Sequence, residues 1–121
     1  LQAQRLKEHE WMTRLNVQHE GYMPFGQGRA NEMFEDPKIL EIAAKYGKTP
    51  RQVALRYQIQ CGVIIIPKSV NPERVRANAD VFDFALTDQD MTVLRSMDME
   101  KPLTGDPETP ERTMKITGFK L

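Results

Sequence analysis

Four consecutive apolar residues, Val63 to Ile66, followed at once by Pro67, constrain this chain more than any other feature. A short apolar run closed by a breaker reads as a fully buried strand. Pro67 ends it, and Lys68 and Ser69 then stand where strand gives way to helix. Pro72 falls in the first turn of that helix, where its missing N–H costs nothing. Arg74 and Asn78 are four apart, so both are expected to face back toward Lys68 and Ser69 from one side of the helix. An ammonium, a guanidinium, a hydroxyl and a helix N-terminus thus converge at the C-terminal end of a buried strand. Such a place suits a phosphate.

The remaining segments alternate around that strand. Leu1 to Leu15 reads as a charged helix with Leu6, His9, Trp11, Met12 and Leu15 inward. Asn16 to Tyr22 reads as a short strand, and Met23 to Arg29 as a loop. Asp36-Pro37 is an N-cap with proline at the first helical position, opening a helix from Lys38 to Tyr46 that stops at Gly47. Its inward residues are Ile39, Leu40, Ile42 and Ala43. Thr49-Pro50 repeats the device, with Val53, Ala54, Tyr57 and Ile59 inward, and Cys61-Gly62 ends that helix. A last helix runs from Thr87 or Asp88 to Met97, with Leu86, Met91, Leu94 and Met97 apolar. Pro102, Gly105, Pro107 and Pro110 break any regular element beyond Lys101.

This order fits parallel α/β construction. Two parallel strands cannot cover their own faces, so the expectation is an incomplete sheet or barrel whose strand edges are open to self-association. Beginning at Leu1, in mid-helix, the chain reads as the later part of something longer.

With 121 residues the chain suffices for one domain, and its 17 basic and 17 acidic residues cancel. Zero net charge argues against a nucleic-acid or membrane-surface binder. No stretch approaches the roughly 18 apolar residues of a membrane span. Cys61 is alone, which excludes a disulfide framework and points to a reducing, cytoplasmic compartment. Asp88 and Asp90 read as helix-start acids, and no metal site emerges. Ile42 to Tyr57 imitates a helix-turn-helix, but Arg51 and Arg56 make a thin basic face and the following buried strand has no place in such a module.

Longer motifs carry a resemblance. Ile66-Pro67-Lys68-Ser69 with Arg74 and Asn78, then Val81-Phe82-Asp83-Phe84, Leu86 and Asp90-Met91, resembles the C-terminal signature of the aldo-keto reductases. Tyr22, Pro24 and Gly26 resemble their seventh-strand motif. Asp36-Pro37, and Ile42 to Arg56, are similar to the helix pair between strands seven and eight. The resemblance runs from Glu10 to Met97.

It implies an α/β fold, the C-terminal part of a (β/α)8 TIM barrel with about strands seven and eight and their flanking helices, incomplete as it stands. Residues 1–100 would form a partial NADP-dependent oxidoreductase domain and 101–121 a C-terminal tail. By this resemblance Tyr22 stacks on the nicotinamide ring, Lys68, Ser69 and Arg74 hold the adenosine 2′-phosphate of NADPH, and Asn78 contacts the adenine. Gln27 is then a residue for the pyrophosphate. A doubly charged phosphate calls for fixed cations, which favours NADP over NAD. The parent reaction is NADPH-dependent reduction of a small aldehyde or ketone to an alcohol.

The family's Asp, Tyr, Lys and His for acid chemistry have no matching motif here, so no catalytic residue is assigned. The alternative is a truncated, non-catalytic nucleotide- or partner-binding protein. The sequence also departs from the family at Met23, where Ser is common, at Ala77, where an acid is common, and at Gln27 and Arg29, where small or acidic residues are common.

Overall fold

The structure, a computed structural model, describes residues 1–26 and 31–100. Gln27, Arg29 and the tail expected over 101–121 lie outside the described residues. The elements run α1 (Leu6–Arg14), β1 (Glu20–Tyr22), a 3-10 turn (Asn31–Glu35), α2 (Pro37–Tyr46), α3 (Pro50–Gln60), β2 (Ile64–Ile66), α4 (Pro72–Ala79) and α5 (Asp88–Arg95). Local chemistry sets most of these boundaries. Asp36 accepts a bond from the Lys38 N–H at 2.8 Å, and Gly47 closes α2 at φ 61°, where a side chain would be strained. Thr49 and Gln52 form a reciprocal capping box at the start of α3.

β1 and β2 are parallel, pairing Glu20 with Ile64, Gly21 with Ile65 and Tyr22 with Ile66. Gly21 sits at a close approach: a Cβ there would come 3.2 Å from Val63 Cγ1 and 3.4 Å from Gln58 Oε1, so those side chains would have to give slightly. That contact turns one face of the strand pair toward α3. The main core lies between the helices, where Ile39, Ile42 and Ala43 of α2 meet Val53, Ala54 and Tyr57 of α3. Leu86, Leu94 and Met97 close it from the C-terminal side, and Met33 and Phe34 from the 3-10 turn.

The residues between α4 and α5 have no regular structure, and α3 supplies the bonds they lack. Gln52 Nε2 donates to the Asp80 carbonyl at 2.9 Å, and Arg56 to the Val81 carbonyl at 3.3 Å. Gln60 accepts from the Leu86 N–H at 2.7 Å and donates to the Leu86 carbonyl at 3.0 Å. Three side chains at i, i+4 and i+8 thus form one polar stripe, as helical spacing requires.

Several expectations need correction. β2 is not buried on both faces: Ile64 is 48% and Ile66 52% exposed, because nothing among the described residues covers the face turned away from α3. β1 is confined to Glu20–Tyr22; Asn16 sits at φ 55°, and the Val17 N–H returns to the Met12 carbonyl as the end of a helical turn. α1 begins at Leu6, because Arg5 is left-handed at φ 52°, and it buries no residue.

No element among the described residues covers the apolar stripe of α1, leaving Trp11 62% and Leu15 68% exposed. Residues before α1 instead cross to α5 and α3: Gln4 Nε2 donates to the Leu94 carbonyl of α5 at 2.9 Å, and Gln4 Oε1 accepts from the Tyr57 hydroxyl of α3 at 2.6 Å. Leu40, expected inward, is 45% exposed, and Ile59 is only partly buried.

Candidate functional site

Because Tyr22 pairs with Ile66, the last residues of both strands lie side by side and the chain after each leaves from the same end. Tyr22 is 67% exposed and open to a flat ligand. Two residues past Ile66 comes Lys68, exposed, followed by the half-buried Ser69. Arg74 is exposed on the first turn of α4, and Asn78 is half-buried one turn later. Neither Lys68 nor Arg74 forms an ion pair with any described residue. The two cations therefore stand free at the strand end, as binding an anion requires.

The expected helix N-terminus does not contribute its amides. The Asn71 side chain caps α4, accepting from the Glu73 N–H at 2.9 Å and the Arg74 N–H at 3.1 Å. Ser69 Oγ accepts in turn from the Asn71 N–H at 3.1 Å. Nor do Arg74 and Asn78 bond to Lys68 or Ser69; the link the structure shows runs from Ser69 through Asn71 to the Arg74 N–H. Charge on a ligand here must be met by side chains.

The chain following Tyr22 turns sharply. Met23 lies at φ 53° and Gly26 at φ 66°, and the Gly26 N–H bonds the Met23 carbonyl at 2.8 Å. Phe25 meets Phe34 edge-on at 6.0 Å between centroids, and Phe34 is buried. The Arg51 guanidinium covers both rings, 4.4 Å from Phe34 and 5.4 Å from Phe25, and donates to Asn31 Oδ1 at 3.2 Å. In the sequence Arg51 showed only as part of a basic face; its stacking depends on a contact between α3 and the loop that no spacing reveals.

Away from the strand ends, Tyr46, Lys45 and Asp90 gather three residue types used in carbonyl reduction, but all are spent. The Tyr46 hydroxyl donates to Asp90 Oδ2 at 2.5 Å, Lys45 Nζ lies 2.9 Å from the same oxygen, and Thr87 donates to it at 2.7 Å. Burial pushes the Asp90 carboxyl up, but bonds from Tyr46, Lys45 and Thr87 outweigh it and hold the group well below the usual carboxylate range. The cluster is a joint between α2 and α5.

Lys48 similarly bridges Asp80 at 2.9 Å and Asp83 at 2.7 Å. His9 Nδ1 and His19 Nδ1 lie 3.0 Å apart, and burial followed by the neighbouring His9 lowers the His19 pKa, against Glu8. Among the described residues no three His, Cys, Asp or Glu gather to hold a metal, and no helix is long and apolar enough to cross a membrane.

Parallel strands joined through helices, with exposed side chains at their C-terminal ends, fit a unit of a (β/α)8 barrel. The chain belongs to the aldo/keto reductase family, which residues 4–99 match. An aldo-keto reductase of Mycolicibacterium smegmatis is 48% identical over 106 residues, covering 88% of this chain and 36% of that protein. The methylglyoxal reductase DkgA of Salmonella typhimurium is 37% identical over 105 residues, covering 87% of this chain and 38% of its own length.

Among solved structures, MGS-M4, an aldo-keto reductase from a Medee basin deep-sea metagenome library, superposes with a TM-score of 0.81 at 35% identity. That superposition covers 84% of this chain and 38% of MGS-M4. An aldo-keto reductase complexed with NADPH has a TM-score of 0.78 at 34% identity, covering 84% of this chain and 34% of its own. The chain spans 36–38% of the length of these curated relatives, so its fold is a part of their barrel.

Proposed function

We propose that this chain is the nucleotide-holding part of an NADPH-dependent carbonyl reductase, with residues 1–100 as a partial barrel domain, 101–121 as a tail, and a cytoplasmic setting. The supporting observation is the pair of free cations, Lys68 and Arg74, beside an exposed tyrosine on the adjoining strand end. This donor set fits a phosphorylated dinucleotide, which needs a flat platform at one end and fixed positive charge at the other.

Tyr22 stacks on the nicotinamide, Lys68, Ser69 and Arg74 hold the 2′-phosphate, and Asn78 meets the adenine. Gln27, outside the described residues, serves the pyrophosphate. Ser69 reaches the phosphate by turning its hydroxyl proton away from the Asn71 carbonyl, a bond of only 3.4 Å. Bound NADPH supplies a hydride for an aldehyde or ketone. This chain's residues bind and orient the cofactor, and none of them serves as the proton donor.

The test is nucleotide affinity of the purified chain. Arg74→Ala should raise the Kd for NADPH about 10–100-fold, the range for losing charge-assisted hydrogen bonds, and leave NADH within about twofold. Equal losses for both nucleotides would overturn the phosphate role. The open faces of Ile64 and Ile66 favour a second reading, in which the chain is non-catalytic and closes that face by associating with another chain.

A further inference from the structure

We infer that Arg51 is a positioning residue for the Tyr22 platform, an inference that rests on the cofactor reading above. Tyr22 is 67% exposed, so its own side chain does little to fix its place. Its backbone is held on one side by the register with Ile66 and on the other by the turn from Met23 to Gly26. That turn does not sustain itself. Met23 is a residue with a side chain at φ 53°, a conformation that L residues avoid, so surrounding contacts must hold it there.

The support leads back through Phe25. This ring is an apolar anchor inside the turn, and it meets the buried Phe34 edge-on. Arg51 lies across both rings at once and fastens Asn31 as well, so a single guanidinium from the first turn of α3 ties the segment before Gln27 to the segment after Ala30. α3 also packs against the strand pair, through Gln58 close to Gly21. The same helix therefore sets both the strand carrying Tyr22 and the turn leaving it. A planar guanidinium suits this better than an ammonium, because it spreads its charge over a broad face near the rings while donating in its own plane.

The experiment compares Arg51→Met and Arg51→Lys in the full chain by three readouts. Exchange of the Gly26 amide, which is bonded to the Met23 carbonyl, reports the turn with no nucleotide present. Binding of NADPH and NADH reports the platform, and thermal unfolding reports general damage.

Arg51→Met should speed Gly26 exchange about fivefold and weaken both nucleotides by that same factor, the size of one cation–π contact, with Tm lowered only by the roughly 4–8 °C which that contact is worth. Arg51→Lys should recover part of both effects. Unchanged Gly26 exchange, or faster exchange with unchanged binding, would overturn the inference. So would a loss confined to NADPH, which would make Arg51 a phosphate contact, or a fall in Tm well beyond that of one contact, which would make its role merely structural. A parent chain that binds neither nucleotide would instead overturn the cofactor reading, and the positioning role with it; a parent that binds both while Arg51→Met is silent overturns only this inference.

Discussion

At the scale of single residues, the most tightly held group is not in the candidate site. The Asp90 side chain is 8% exposed and receives bonds from Tyr46, Lys45 and Thr87. Its carboxyl titrates below its unfolded range, so the unfolded chain takes up the proton first as pH falls. The stability from Asp90 is therefore present above about pH 4 and is lost as pH falls toward the folded value. Asp90→Asn should cost about 2 kcal/mol at neutral pH and make the acid limb of a urea-midpoint profile shallower. An acid limb as steep as that of the parent chain would show that other carboxylates set it. The sequence placed Asp90 correctly at a helix start. Its partner Tyr46, 44 residues away, left no local trace, because long-range pairing is a property of packing and not of spacing.

At the scale of elements, α3 organises its surroundings with an apolar surface and an adjoining polar stripe. One buries Val53, Ala54, Leu55 and Tyr57; the other spends Gln52, Arg56 and Gln60 on the backbone between α4 and α5. Gln60→Leu keeps the bulk but leaves the Leu86 N–H and carbonyl without that partner. Leu86 is buried, so the substitution should lower unfolding free energy by about 2 kcal/mol, measured by urea denaturation, and loosen the start of α5. A loss of a few tenths would mean that water replaces the glutamine. The caps at Asp36 and Thr49 and the order of elements were legible, since each rests on residues within one turn. Burial was not. The periodicity of α1 and the apolar run of β2 specify a face to be covered, and whether Trp11 or Ile66 is covered depends on what lies opposite. The candidate site fell between these cases: Lys68 to Asn78 are contiguous and were readable, whereas the occupation of the helix amides by Asn71 was not foreseen.

At the scale of the whole molecule, a strand pair with Ile64, Ile66 and Tyr22 exposed on one face and no described element against it is a sticky surface. The purified chain should sediment heavier than its 14.0 kDa. Ile64→Lys with Ile66→Lys should return it toward monomer without loss of helix, as read by ultracentrifugation and circular dichroism. A monomeric parent chain would remove the second reading. The cations of the site follow a different logic, since Asn71 has taken the amides that would otherwise have met an anion. What remains is charge at the ends of solvated side chains, and such charge is screened within about 8 Å at physiological ionic strength. Preference between the two nucleotides is therefore a function of the medium: rising salt erodes the advantage of the phosphorylated one and leaves the other nearly untouched.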